Sequence, residues 1–341
     1  MIFMKFNDRH DNYGDQLIFK CLFDELSKYQ PVHFYMSAPR FAETEALRFR
    51  KAFTSALTKR LFHGERSIIL DSPGARFKPK YIPIVTLEKR LKKYTITMLW
   101  KLIGAEFRVT GISLDRSAVF KNYQHYSRIG VRDKASIDLL KKNGIKSDFC
   151  PDLSLLRNPV RREKLVKSVI MSFRSETPDN RYATDHRTEV SQTIQKAASV
   201  LAHKNYHFSF YSQVLEDNDF NSNFSNIFGV GYLPNSIVNF DYEEYFADFG
   251  IVISNRLHVL LPAMSCGIIP IALIAREHTK IKSLFIAQGW GEYIIYTDEV
   301  FKLSDMLSKI ENDFNNHRLS LYNSLVASQR DAQNHIKLLT E

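Results

Sequence analysis

Short apolar runs rich in β-branched and aromatic residues alternate with amphipathic helical stretches along most of this chain. Few folds can use that alternation; parallel sheets covered by helices are the ones that do. In the first half the spacing predicts strands at Val32–Tyr35, Ser67–Leu70, Phe107–Thr110 and Ser127–Val131. Helices are predicted at Asp15–Tyr29 and Lys134–Asn143, the latter with Asp133 as N-cap and Gly144 as its stop. In the second half, after a polar stretch at 157–164, strands are predicted at Val169–Phe173, His207–Tyr211, Gly250–Ile253 and Ile268–Ile274. The helices there are Thr188–Lys204, Leu257–Cys266 and Phe301 to the carboxyl end. At 341 residues the chain exceeds one ordinary core and suits two α/β domains. The expectation is therefore two Rossmann-like domains, residues 1–160 and 161–341, with parallel sheets facing a cleft where ligands of such sheets bind.

Composition narrows the functional classes. Apolar residues make up 44% and charged residues 25%, so a packed globular chain is expected, not a disordered one. The amino terminus turns polar too early for a secretory signal. The most apolar stretch, 250–275, is interrupted by Asn255, Arg256 and His258, so it does not read as a membrane span. Three widely spaced cysteines, Cys21, Cys150 and Cys266, read as buried thiols of a reducing compartment, with no metal-ligand cluster. A cytoplasmic protein is expected. The net charge of +10 favours anionic partners, but the basic residues are spread without a nucleic-acid motif, so no nucleic-acid partner is expected.

One segment reads in two ways. Leu87, Leu91, Tyr94, Met98 and Leu102 recur at three- and four-residue steps, with Lys89, Arg90, Lys92, Lys93 and Lys101 between them. Such a helix is expected to pack its apolar stripe on a core and leave its basic face in water. Its other use is peripheral contact with an anionic membrane.

The chemistry concentrates at predicted strand ends. The run ending at Ile253 continues through Ser254-Asn255-Arg256-Leu257-His258 into a helix, which sets a guanidinium and an imidazole beside a helix N-terminus. Arg offers a bidentate fork to phosphate or carboxylate, and His transfers protons near neutral pH. Val169–Phe173 leads into Arg174, and His207–Tyr211 leads into Ser212 and Gln213. At the other end Asn12-Tyr13-Gly14-Asp15 precedes a helix, with Asp15 the natural cap and Asn12 left to face a cleft. Pro262 removes a backbone N–H from the helix after His258, which frees the carbonyl of His258 and argues for a kink or a late start.

These segments carry a resemblance. Asn-Tyr-Gly-Asp-Gln-Leu-Ile at 12–18 resembles the amino-terminal motif of the polysaccharide pyruvyltransferase family. Gly130-Val131-Arg132-Asp133 through Pro151-Asp152-Leu153 resembles its central block. Ser254 to His258, with Ala263, Gly267, Pro270 and Lys280, resembles its most diagnostic one. The resemblance implies a transferase of GT-B-like fold in exopolysaccharide or capsule biosynthesis. Such an enzyme moves pyruvate from phosphoenolpyruvate (PEP) to a glycan acceptor, with a lipid-linked acceptor and peripheral contact at the inner membrane face compatible with it. PEP would lie on the carboxyl-terminal domain and the acceptor on the amino-terminal one. By the same resemblance Arg174, Arg256, Leu257 and His258 are expected to bind PEP, with His258 as catalytic acid or base. Acceptor-side or cleft candidates are Asn12, Asp15, His125, Ser212 and Gln213. PEP is the donor substrate; no cofactor and no metal are expected. The chain departs from the family pattern at Asp71-Ser72-Pro73-Gly74, where many members carry a glycine-rich triplet. The alternatives are a GT-B-like glycosyltransferase using a nucleotide sugar, with Glu277 on the ribose, and a non-catalytic glycan-binding relative.

Overall fold

The computed structural model describes residues 1–6, 12–35, 37–39, 45–71, 73–76, 87–114, 123–175, 183–234 and 242–341. Two compact units emerge. The first comprises residues 1–10, 18–156 and 330–341, and the second comprises 11–17 and 157–329.

The first unit is built on strands β1 (Ile2–Lys5), β2 (Val32–Tyr35), β3 (Ile68–Asp71), β4 (Gly74–Arg76), β5 (Glu106–Leu114), β6 (Arg128–Val131) and β7 (Asp148–Phe149). All pair in parallel in the order β2-β1-β3-β5-β6-β7, with β4 beside the far end of β5. Helices α1 (Tyr13–Ser27), α2 (Phe49–His63), α3 (Leu87–Leu102) and α4 (Lys134–Lys142) provide the crossovers. One core cluster joins Phe3, Tyr35, Ile69 and Phe107 of the sheet to Ala52 and Ala56 of α2 and Trp100 of α3.

The second unit carries β8 (Ser168–Ser172), α5 (Ala183–His203), β9 (His207–Tyr211), α6 (Asn218–Phe228), β10 (Gly231–Leu233), α7 (Tyr242–Tyr245), β11 (Ile251–Ser254), α8 (Leu257–Ser265), β12 (Ile269–Ile274), α9 (Thr279–Ala287), β13 (Ile294–Tyr296), α10 (Leu303–Asn312) and, up to Gln329, α11 (Phe314–Leu338), whose last residues belong to the first unit. Its six strands are all parallel, in the order β10-β9-β8-β11-β12-β13. This is the doubly wound order, with the chain reversing direction between β8 and β11. β11 and β12 are buried at every residue, which explains why they read as unbroken apolar runs.

Several expected elements are corrected. β1 lies between β2 and β3 and adds a strand that the sequence expectation lacks. α2 buries only small Ala52 and Ala56, so its sequence carries a faint apolar stripe. The carboxyl-terminal helix is two, interrupted at Asp313, whose φ of −133° and ψ of 37° are not helical. α8 opens at Leu257 and carries Pro262 inside it, so it does not start late. The largest correction concerns α3. Its core side is Trp100, with Ile96 packed against the same cluster. The stripe Tyr94, Met98 and Leu102, expected to face the core, is exposed.

A candidate anion site at the strand switch of the second unit

β8 and β11 are neighbours in register, with Ser172 opposite Ser254, so the residues that follow them leave the sheet side by side. Side-chain amides then extend the pairing. Asn255 Oδ1 accepts from the Arg174 N–H at 2.8 Å, and Asn255 Nδ2 donates to the Arg174 carbonyl at 3.1 Å. Ser254 Oγ donates to the Ser172 carbonyl and accepts from the Arg256 N–H at 3.0 Å. From the other flank Asn221 on α6 does the same for Phe173, accepting from its N–H at 3.0 Å and donating to its carbonyl at 2.9 Å. Each neutral bond of this kind contributes about 1 kcal/mol. Together they fix the backbone that carries Arg174, which a free loop would not do.

Arg256 occupies the cap position of α8 with extended φ and ψ of −111° and 119°, and its side chain makes no cap bond. Its guanidinium instead pairs with Asp217, and both side chains are largely buried, at 11% and 5% exposure. Burial pushes the Asp217 carboxyl above its ordinary range, while the positive charges of Arg256 and Arg174 pull it back down. Two guanidiniums therefore share the field of Asp217, to which Glu216 adds a second negative charge. The α8 N-terminus adds its partial positive charge to the same place.

His258 lies in the first turn of α8 and is 9% exposed. Pro262, four residues on, has no N–H to give the His258 carbonyl, and Gln213 Nε2 supplies the missing bond at 2.9 Å. The proline thus ties the end of β9 to α8, a consequence visible only with both elements in place. Gly14 closes the other side. A Cβ there would stand 2.8 Å from His258 Nδ1, inside contact distance, so the first turn of α1 approaches the imidazole only because residue 14 is glycine. Asn12 sits in an isolated antiparallel bridge with Val214, in the same unit.

The expected residues therefore fall as follows. Arg174, Arg256, Leu257, His258, Ser212, Gln213, Asn12 and Asp15 all belong to the second unit. Ser212 is fully buried and accepts from Asn221 Nδ2 at 3.2 Å and from the Tyr232 hydroxyl at 3.0 Å, which brace the turn leading to Asp217. Asn12, not Asp15, caps α1: its Oδ1 accepts from Gly14 N at 3.0 Å and Asp15 N at 3.4 Å, and Asp15 lies in the first turn. Leu257 is buried as the first residue of α8. His125 is in the first unit, where its ring stacks on Tyr126 at 4.1 Å and meets Phe107 edge-on at 5.6 Å.

Three contributors escaped the sequence reading. Asn255 was visible inside its motif, but its amide role needed the register of β8 and β11. Asn221 and Asp217 lie on α6 and just before it, and no local pattern connects them to Arg174 or Arg256. Among the described residues no group of three His, Cys, Asp or Glu side chains is placed to hold a metal ion.

With this geometry in hand, the comparisons decide the family. The model of the polysaccharide pyruvyl transferase family matches residues 12–278. This chain belongs to the polysaccharide pyruvyl transferase family. The matched span begins at Asn12 and runs past Arg174, Asp217 and His258, so it contains the whole cluster, and the chain is a transferase. No curated protein sequence matches it significantly. Solved structures resemble it in fold at low identity. An alpha-glucosyltransferase in complex with UDP superposes with a TM-score of 0.58 at 11% identity, covering 100% of this chain and 99% of that one. The UDP-GlcNAc 2-epimerase of Neisseria meningitidis gives 0.54 at 7% identity, over 99% and 98%. S. aureus MnaA gives 0.52 at 9%, over 100% and 98%. The fold is that of GT-B glycosyltransferases and related epimerases, as the two Rossmann-like sheets require.

Proposed function

We infer that this family member transfers pyruvate from PEP to two hydroxyls of a cell-surface glycan sugar, forming a ketal and releasing phosphate. The observation that carries the reading is the shared field of Arg174 and Arg256 around Asp217, with His258 less than a turn along α8. PEP presents a phosphate and a carboxylate, and this cluster offers two guanidiniums and a helix N-terminus to hold them.

The reaction needs four events. The PEP methylene gains a proton, a sugar hydroxyl adds to the central carbon, the C–O bond to phosphate breaks, and a second hydroxyl closes the ketal. The two hydroxyl protons lost balance the one gained by the methylene and the one that leaves with phosphate. Arg174 and Arg256 orient PEP and offset charge as phosphate departs. His258 is the acid or base, held by Gln213 through its own carbonyl and by the close face of Gly14. Tyr211 is not suited to that task, because burial raises its hydroxyl well above neutrality. No metal is required for these steps. A cytoplasmic enzyme meeting a lipid-linked acceptor at the membrane surface fits the reading; no described helix is long and apolar enough to cross a membrane.

Phosphate release from PEP, measured with a panel of glycosides and followed by mass spectrometry, tests the assignment. Acceptor-dependent release with one pyruvate ketal gained is expected, and His258→Asn should remove most turnover while the protein stays folded. Structural neighbours solved with UDP define the rival. Thermal protection by a nucleotide sugar but not by PEP would replace this reading with glycosyl transfer.

A further inference from the structure

Two helices of the first unit carry a local excess of positive charge. α2 and α3 together carry nine Lys and Arg residues (Arg50, Lys51, Lys59 and Arg60; Lys89, Arg90, Lys92, Lys93 and Lys101) against the single acid Glu88. That surplus of eight accounts for most of the formal +10. The same helices carry the exposed apolar surface. Leu61 and Phe62 end α2 at 70% and 77% exposure, and Tyr94, Met98 and Leu102 recur every four residues along α3 at 65%, 42% and 77%. Four of the five most exposed large apolar side chains among the described residues are in this group.

The topology places the described ends of the two helices, from Tyr94 onward in α3, on one surface. α2 runs into β3 and α3 runs into β5, and these strands are parallel neighbours with Ile68 opposite Glu106. Both helices therefore end at the same edge of the sheet. Their packing agrees: Trp100 of α3 meets Phe53 of α2 at 5.6 Å, and a Cβ at Gly104 would come within 3.7 Å of Arg60 Nε. Trp100 and Ile96 supply the core contacts of α3, and Tyr94, Met98 and Leu102 stay exposed.

We propose that the paired outer faces of α2 and α3 dock this protein on an anionic phospholipid bilayer. The charge decides the occupant. A second copy of the chain would bring two strongly basic faces together, and an apolar protein groove would leave the lysines without counterions. An anionic lipid surface attracts the basic residues and receives Leu61, Phe62, Tyr94, Met98 and Leu102 at the acyl boundary, as interfacial helices do. The inference rests on the first unit alone and stands whatever the donor proves to be.

The test is co-sedimentation of the full chain with vesicles of phosphatidylglycerol and phosphatidylcholine, against pure phosphatidylcholine vesicles, with light scattering on the free protein. Expected is partitioning to the anionic vesicles that salt weakens. Arg60→Gln and Lys101→Gln should each reduce it about fivefold, the usual attraction of one juxtamembrane charge. Leu61→Ser combined with Phe62→Ser should reduce it at least tenfold, on the order of two buried apolar side chains, with the thermal midpoint unchanged because both are exposed. Equal partitioning to the two vesicle types would overturn the proposal, as would no partitioning to either or variants that bind like the parent. A stable dimer that Leu61→Ser with Phe62→Ser dissociates would assign the face to a second copy instead.

Discussion

Each unit buries one arginine–aspartate pair at the end of its sheet, and the two pairs are finished differently. In the first unit Arg132 and Asp152 meet at 2.5 Å with 2% and 0% exposure. Further bonds brace the pair: Arg132 Nε donates to Ser113 Oγ at 2.7 Å, and Asp152 Oδ1 accepts from Ser154 N at 3.1 Å and Ser154 Oγ at 2.8 Å. One positive charge faces one negative charge and the account is closed. In the second unit Asp217 answers two guanidiniums, and burial works against its charge. The first arrangement can only hold the fold together. The second sets two guanidiniums at the strand switch where we propose that PEP binds.

The comparison breaks most visibly at the closed pair. Asp152→Ala leaves a buried guanidinium without its partner and should lower unfolding free energy by about 3–5 kcal/mol in urea titration. A loss under 1 kcal/mol would mean the pair is not sealed. A second test in the first unit uses pH. His335 on α11 is 4% exposed, a Cβ at Gly130 would stand 2.8 Å from its Cε1, and burial lowers its pKa from 6.5 to about 4. The unfolded chain takes the proton near 6.5 and the folded chain only near 4. Stability is therefore complete above 6.5 and is lost as pH falls through that window, by about 3 kcal/mol. His335→Gln should flatten the profile there. Asp217, raised by burial, has the opposite sign: its ionisation costs stability as pH rises past the ordinary carboxylate range.

Gly14→Ala probes the open site from its floor. The added methyl meets His258 and Gln213 and should cost about 1–3 kcal/mol by overpacking, with a loss of turnover larger than the loss of fold. Thermal unfolding and phosphate release read the two effects separately. The smallest expected effect is Arg256→Lys, which keeps the charge but not the fork. PEP affinity by calorimetry should fall about tenfold while stability barely changes.

Much of the fold was legible because buried parallel strands write themselves as unbroken apolar runs. Val169–Phe173, Gly250–Ile253 and Ile268–Ile274 were placed to within a residue or two for that reason. β1 and α2 were silent; α2 fully buries only Ala52 and Ala56, with Phe49 and Phe53 partly buried on the same core. The positions of Arg174, Arg256 and His258 at strand ends were readable, as was the freed carbonyl of His258. What closes that carbonyl, what neutralises Arg256 and what caps α1 were not readable. Gln213, Asp217 and Asn221 meet the site only through β9, α6 and the crossover order of the sheet. Asn12 was visible but given the wrong task, since Asp15 satisfied the same local rule. For α3, periodicity gave the stripe without its direction; Trp100, off that stripe, took the core.

The central proposal is that Arg174 and Arg256 at the β8–β11 switch hold PEP. Isothermal titration of PEP into the parent chain, Arg174→Ala and Arg256→Ala tests it most directly. The account predicts saturable binding by the parent and a loss of about 2 kcal/mol or more, roughly thirtyfold, in each variant. Parent binding that both substitutions leave intact, or no PEP binding beside clear binding of a nucleotide sugar, would contradict it.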